Sequence, residues 1–165
     1  MISEHISYRE ATRSITALRN GYKNDPSEYQ LRNMIALAEN HFEPLRTALG
    51  GKPIGIASFF RSKELNDAIG GAINSQHMAM KSRGAAYDLD ADIYDVPGVT
   101  NADIFYWTLE YGEFDQLIWE YGTSDNPEWV HVSFNPIKNR KQALICRRSY
   151  PKYLKFNETN LLLLC

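Results

Sequence analysis

The side chains best suited to chemistry in this 165-residue chain are its four histidines, His5, His41, His77 and His131, taken with its 20 acidic residues. Two histidines and one carboxylate make a common catalytic zinc set, in which the fourth position is left to water. Water held in that way loses its proton near neutral pH and becomes a nucleophile. His5 lies near the N-terminus and His41 inside a helical pattern, so both are expected in structural or surface roles. His77 sits in Ser75-Gln76-His77, shortly before Gly84-Ala85-Ala86-Tyr87-Asp88. His131 sits in Trp129-Val130-His131-Val132-Ser133, among aromatic and β-branched residues that favour a strand. Spacing alone selects no ligand triple: His131 also reads as a hydrogen-bonded strand histidine and His77 as a loop residue.

The elements that must position these groups fall into two textures. Tyr8 to Asn20 is read as a helix stopped at Gly21. Asp25-Pro26 resembles an N-cap with proline at the first helical position, and apolar residues then recur at helical spacing from Tyr29 to Leu49. Pro44 should kink or split that stretch, since it has no N–H to donate. Beyond Gly51, strands are expected at Pro53 to Phe60, Gly84 to Asp92, Gln116 to Tyr121, Trp129 to Phe134 and Gln142 to Arg147. Ala86, Asp88, Asp90 and Asp92 would share one face of the second strand. Short helices are expected from Ser62 to Ile69 and from Thr100, paired with Asp103 as a cap, to Tyr111. Gly122 to Pro127 has turn composition and makes a hairpin of its flanking strands. The expected fold class is α+β, with N-terminal helices packed on a mainly antiparallel sheet.

Composition narrows the partners. With 18 basic against 20 acidic residues the net charge is −2, which argues against a dedicated nucleic-acid binder. Arg140, Lys141, Arg147 and Arg148 form one small basic cluster. A chain of this length buries about 70% of its unfolded surface, so a monomer is expected to be stable. The two cysteines, Cys146 and Cys165, form no disulfide framework. The longest apolar tract, Leu161 to Cys165, is too short to insert stably in a membrane. Met1 to Asn20 has no apolar run like a signal peptide. The expected product is made in the cytoplasm and, if it acts outside it, is released by another factor.

Several motifs occur in a specific order: Ser58-Phe59-Phe60-Arg61-Ser62, Leu65-Asn66, Ile69-Gly70-Gly71-Ala72, Ser75-Gln76-His77, Gly84-x-Ala86-x-Asp88, Phe114-Asp115-Gln116-Leu117-Ile118-Trp119-Glu120 and Trp129-Val130-His131-Val132-Ser133. This series resembles the D-alanyl-D-alanine carboxypeptidase family of zinc peptidases, which shares its fold with the hedgehog signalling domain, and within it the branch common in phage endolysins. The resemblance runs from about Tyr8 to Asn135. It implies a zinc-dependent peptidase acting on peptidoglycan stem peptides or cross-bridges, with His77, Asp88 and His131 as metal ligands. It implies that Arg61 stabilises charge developing on the scissile carbonyl, and that Ser75 and Gln76 position the ligand loop. On this basis residues 1–148 form one zinc peptidase domain and 149–165 a C-terminal tail of unknown role. Trp129 would share a strand face with His131, beside the metal or in ordinary core.

The chain departs from the family pattern His-x-x-Gly-x-Ala-x-Asp, because His77 and Asp88 stand eleven apart, four more than the pattern has. The extra residues, within Met78 to Arg83, are expected to bulge out of the loop, with Asp90 as the fallback ligand should Asp88 not reach. The general base is open between Glu120 and Glu128. Glu128 lies three residues before His131, where some relatives carry a glutamate, but it needs a bend at Pro127 to reach the site. Glu120 would lie directly opposite His131, about 5 Å apart at Cβ, if the hairpin centres between Asp125 and Asn126. A different class of function also fits: a non-catalytic module of the same fold that binds zinc, cell wall or a protein partner.

Overall fold

The computed structural model describes residues 1–94 and 97–164; Cys165 lies outside them. The chain runs through α1 (Tyr8–Thr12), α2 (Ile15–Asn20), α3 (Glu28–Leu37), α4 (Glu43–Ala48), β1 (Gly55–Ser58), α5 (Lys63–Ala68), β2 (Ala85–Asp90), α6 (Asn101–Tyr111), β3 (Gln116–Glu120), β4 (Trp129–Phe134), β5 (Gln142–Cys146), β6 (Tyr153–Lys155) and α7 (Glu158–Leu161). The six strands form one sheet in the order β1-β2-β4-β3-β5-β6. Every neighbouring pair is antiparallel except β3 and β5, which run parallel. The fold is α+β, as expected.

Local chemistry explains the boundaries. The expected first helix divides because Ser14 takes an extended conformation and caps α2, its hydroxyl accepting from the Ala17 amide. Ser27, not Asp25, caps α3, in a reciprocal box with Gln30. The Thr100–Asp103 box opens α6 as anticipated. Pro44 does not break its helix. Ala38–Phe42 instead widens into one π turn, closed by the Glu43 N–H donating to the Ala38 carbonyl, and α4 resumes with Pro44 in its first turn. β2 stops at Asp90 and the chain turns into a 3₁₀ segment, Ala91–Tyr94, so Asp92 leaves the strand.

Helices α3 and α6 pack on the sheet through Met34, Leu37, Ile104 and Phe105 against Tyr87, Leu89, Trp119 and Val132, all fully or almost fully buried. Residues after 148 belong to this packing. β6 extends the sheet on β5, Leu161 is buried in the core, and Phe156 lies 4.7 Å from Phe105, ring centre to ring centre. The expected basic cluster is dispersed: Lys141 pairs with Glu113, Arg148 with Glu128, and Arg147 donates to the Pro151 carbonyl, while Arg140 turns to Asp115.

Gly84 sets the start of β2. Its φ is +71°, and a Cβ there would stand 1.9 Å from the Phe134 carbonyl oxygen, so only glycine allows β2 to meet the end of β4 in this register.

His41, brought inside by the π turn, is a structural histidine with no accessible surface. The Thr108 hydroxyl donates to the Ile104 carbonyl and is therefore free only to accept, at 2.9 Å, from His41 Nε2–H. Nδ1 then accepts from the Tyr87 hydroxyl at 2.6 Å, which leaves no site for a second proton. Burial, aided by the charge of Lys141, lowers its pKa to about 3. In the unfolded chain it regains its ordinary value near 6.5, so its contribution is complete above that pH and is lost as pH falls toward 3. Between pH 7 and pH 5 this one group should remove about 2 kcal/mol of stability. Urea unfolding of wild type and His41→Gln at both pH values checks this. The variant should show the smaller loss on acidification, and equal losses would contradict the assignment.

Candidate metal centre and active-site cleft

Pairing of β2 with β4 places Asp88 directly across from His131, and pairing of β1 with β2 places Ser58 on the other side of Asp88. Side chains at paired positions share a face of the sheet, so the register alone brings carboxylate and imidazole together. His131 Nδ1 lies 2.9 Å from Asp88 Oδ1. His77 reaches the same point from a 3₁₀ turn, Gln76–Met78, whose first amide bonds are capped by the Ser75 hydroxyl. The segment after β1 grips this turn: the Arg61 amide donates to the His77 carbonyl, and His77 Nδ1–H donates to the Phe59 carbonyl at 2.8 Å.

That last bond fixes the tautomer and turns the Nε2 lone pair of His77 toward the other two groups. It stands 3.3 Å from Asp88 Oδ1 and 3.3 Å from His131 Nδ1. Burial lowers the pKa of His77 more than Asp88 raises it, so the ring is neutral. Burial would raise the pKa of Asp88, but the neighbouring histidines outweigh it and hold the carboxyl well below the usual range. A neutral imidazole lone pair thus faces an ionised oxygen inside the protein, an arrangement that a shared cation resolves. Ligand bonds of about 2.0–2.1 Å in tetrahedral geometry require donors about 3.3 Å apart. The observed separations of 2.9, 3.3 and 3.3 Å fit that requirement. A backbone carbonyl holding the far nitrogen of a ligand histidine is also the usual support for a metal site.

Asp88 keeps its second oxygen for Arg61, whose Nη2–H donates to Oδ2 at 2.9 Å while Nε–H donates to Ser58 Oγ at 3.0 Å. Arg61, His77, Asp88 and His131 line a cavity of about 840 Å³. Glu120 lines it too, from the edge of β3 facing β5, with 9% of its surface exposed. Burial raises its pKa, opposed by hydrogen bonding from the Cys146 thiol and by the charge of His131. Burial in turn pushes the Cys146 thiol up to about 11, so it stays protonated and donates.

The hairpin register differs from expectation. Glu120 pairs with Trp129, and Ile118 is the residue opposite His131. The turn forms earlier in sequence because Tyr121 and Gly122 both take left-handed conformations and the Thr123 hydroxyl accepts from the Asp125 and Asn126 amides. Glu120 therefore stands diagonal to His131, on the same face, within reach of a long side chain. Glu128 does not line the cavity, and both of its oxygens accept from Arg148. Asp90 is occupied elsewhere, accepting from the Asp92 amide and Asn101 Nδ2. Trp129 lines the cavity, edge-on to Tyr121 at 5.3 Å.

Within the segment that carries the four extra residues, Met80 to Arg83 are exposed, with a turn at 81–83, and the start of the segment is held inside. Met78 and Ala79 are buried, and α3 holds their carbonyls: Gln30 donates to Met78, and Asn33 donates to Ala79 and Met80. Two features of the cleft were not singled out in the sequence. Asp115 and Arg140 form a bidentate pair beside Gln76, and Tyr153 enters from β6. Asp115 stands inside a quoted motif, which is a signal of sorts; Tyr153 is placed by a parallel strand pairing that local pattern does not reveal.

A second group with donor atoms close together, Glu4, His5 and Glu43, lies on the surface and is an ordinary ion-pair cluster. No helix among the described residues is long and apolar enough to cross a membrane. The family model described as Peptidase M15 matches residues 4–133, which reach into β4 and include His77, Asp88 and His131. No curated protein matches the chain.

Zinc should bind at one equivalent per chain. Elemental analysis after gel filtration should find His131→Ala at background and His5→Ala at the wild-type level. Full retention by His131→Ala would place the metal elsewhere.

Proposed function

The chain belongs to the peptidase M15 family, zinc-dependent peptidases of peptidoglycan, and from that membership we propose that it hydrolyses peptide bonds in D-alanine-containing stem peptides or cross-bridges, as an endolysin-type wall hydrolase. The observation that carries this reading is the convergence of His77 Nε2, Asp88 Oδ1 and His131 Nδ1 in a cleft that also holds Arg61 and Glu120. These three atoms would hold the zinc. When bound, zinc supplies Lewis acidity, polarising a carbonyl and lowering the pKa of water.

The protein groups divide the remaining work. The Phe59 carbonyl orients His77, and the Arg61–Asp88 pair keeps the carboxylate directed at the site. Arg61 is anchored through Nε and Nη2, and its remaining N–H bonds are available to the oxygen of the scissile carbonyl, where charge develops. Glu120 is the proton carrier in this reading. Its raised pKa suits a group that takes a proton from the attacking water and returns it to the nitrogen of the leaving amine. Glu128, held by Arg148 outside the cleft, has no such part.

Glu120→Gln should keep its zinc and its fold while losing a factor on the order of 10²–10⁴ in turnover of peptidoglycan stem peptide. Glu128→Gln should stay close to wild type. The reverse ranking would assign the proton to Glu128. Full zinc loading with no hydrolysis by the wild-type protein would favour a non-catalytic module of this fold.

A further inference from the structure

Beyond His77 the cleft continues along a wall built from two loops, 78–84 and 135–140. Gln76 fastens them together. Its Nε2–H bonds donate to the Arg83 carbonyl at 2.5 Å and to Asp115 Oδ2 at 3.0 Å, and its Oε1 accepts from Arg140 Nη2 at 3.3 Å. Asn135 adds a second fastening, donating to the Ser82 carbonyl at 3.1 Å, while its own amide donates to Asn139 Oδ1. The backbone of this wall is therefore held in place from the ligand turn outward.

Its charges are unbalanced. Arg140 spends its guanidinium on Asp115, through both oxygens. Arg83 and Lys138 also line the cleft, both exposed, and neither side chain has an ion pair or hydrogen bond among the described residues. The acids lining the cleft are committed elsewhere: Asp88 to Arg61 and the histidines, Asp115 to Arg140, and Glu120 beside Cys146. Two cations without a partner among the described residues thus stand on the wall of the cavity that also holds the candidate metal centre. Arg83 is delivered there by the lengthened segment between His77 and Asp88, so the extra residues acquire a use.

We propose that Arg83 and Lys138 form a subsite for a carboxylate of the substrate peptide, which selects anionic over amidated stem peptides. The inference rests on the peptidase reading and names what the cleft recognises away from the bond it cuts. A guanidinium offers paired N–H donors matched to a carboxylate, and the ammonium adds a second charge. In a stem peptide the carboxylate has two sources, the α-carboxyl of the γ-linked D-glutamate and the C-terminus.

Titration calorimetry distinguishes them, on zinc-loaded Glu120→Gln protein so that turnover is slow. The probes are the synthetic pentapeptide L-Ala–γ-D-Glu–L-Lys–D-Ala–D-Ala, the same peptide amidated at the D-Glu α-carboxyl, and the same peptide amidated at the C-terminus. One amidation should weaken binding roughly tenfold, the scale of one lost charge-assisted contact, and identifies the carboxylate concerned. Adding Arg83→Gln and Lys138→Gln should cost a similar factor for the free peptide and nothing for that amidated form. Equal affinity for all three peptides, equal losses on all three, or binding of none would overturn the subsite. Cleavage by the unsubstituted protein is scored separately. Cleavage with unselective binding removes the subsite alone, whereas selective binding without cleavage removes the peptidase reading alone.

Discussion

The cross-strand pair Asp88–His131 is the constraint on which the rest of the site depends. An ionised carboxylate taken out of water costs several kcal/mol unless its oxygens are matched by cationic or hydrogen-bonding partners. Asp88 is nearly buried and has both oxygens matched, Oδ2 by Arg61 and Oδ1 by His131. That matching exists only in the observed register of β2 on β4. A slip of one residue would turn Asp88 or His131 to the opposite face of the sheet. Gly84 guards against the slip, since any side chain there would collide with the Phe134 carbonyl.

The sheet order carries the same logic outward. With β1, β2, β4 and β3 adjacent, Ser58, Asp88, His131 and Ile118 form one row across neighbouring strands, and Glu120 enters two residues along β3. Of the three candidate ligands only His77 comes from outside the sheet, and the chain leaving β1 secures it through Phe59 and Arg61. Its path to β2 can therefore lengthen without moving Asp88, because each end is fixed independently. Loop length itself costs little entropy, and α3 supplies partners for the added backbone carbonyls.

Much of this was legible from residues alone. Alternating apolar residues and Gly–Pro punctuation located five strands to within two or three residues, and the Thr100–Asp103 spacing announced α6. The motif order placed His77, Asp88, His131 and Arg61 in one site, and the structure brings these four together. What escaped was geometry that depends on more than one segment. The hairpin register shifted because Tyr121, not a glycine, takes a left-handed conformation and Thr123 caps the loop. The helix survived Pro44 through a π turn that also buries His41. The last residues carry no motif, so neither the pairing of β6 on β5 nor the packing of Phe156 and Leu161 could be read from pattern, and Tyr153 reaches the cleft through that pairing.

The claim on which this account turns is that three side chains from β2, β4 and the turn before β2 hold one metal ion. Crystals of the zinc-loaded protein, with diffraction recorded above and below the zinc absorption edge, test it without reference to activity. The account predicts a single anomalous peak within bonding distance of His77 Nε2, Asp88 Oδ1 and His131 Nδ1. A peak at Glu4, His5 and Glu43, or none near Asp88, would contradict it.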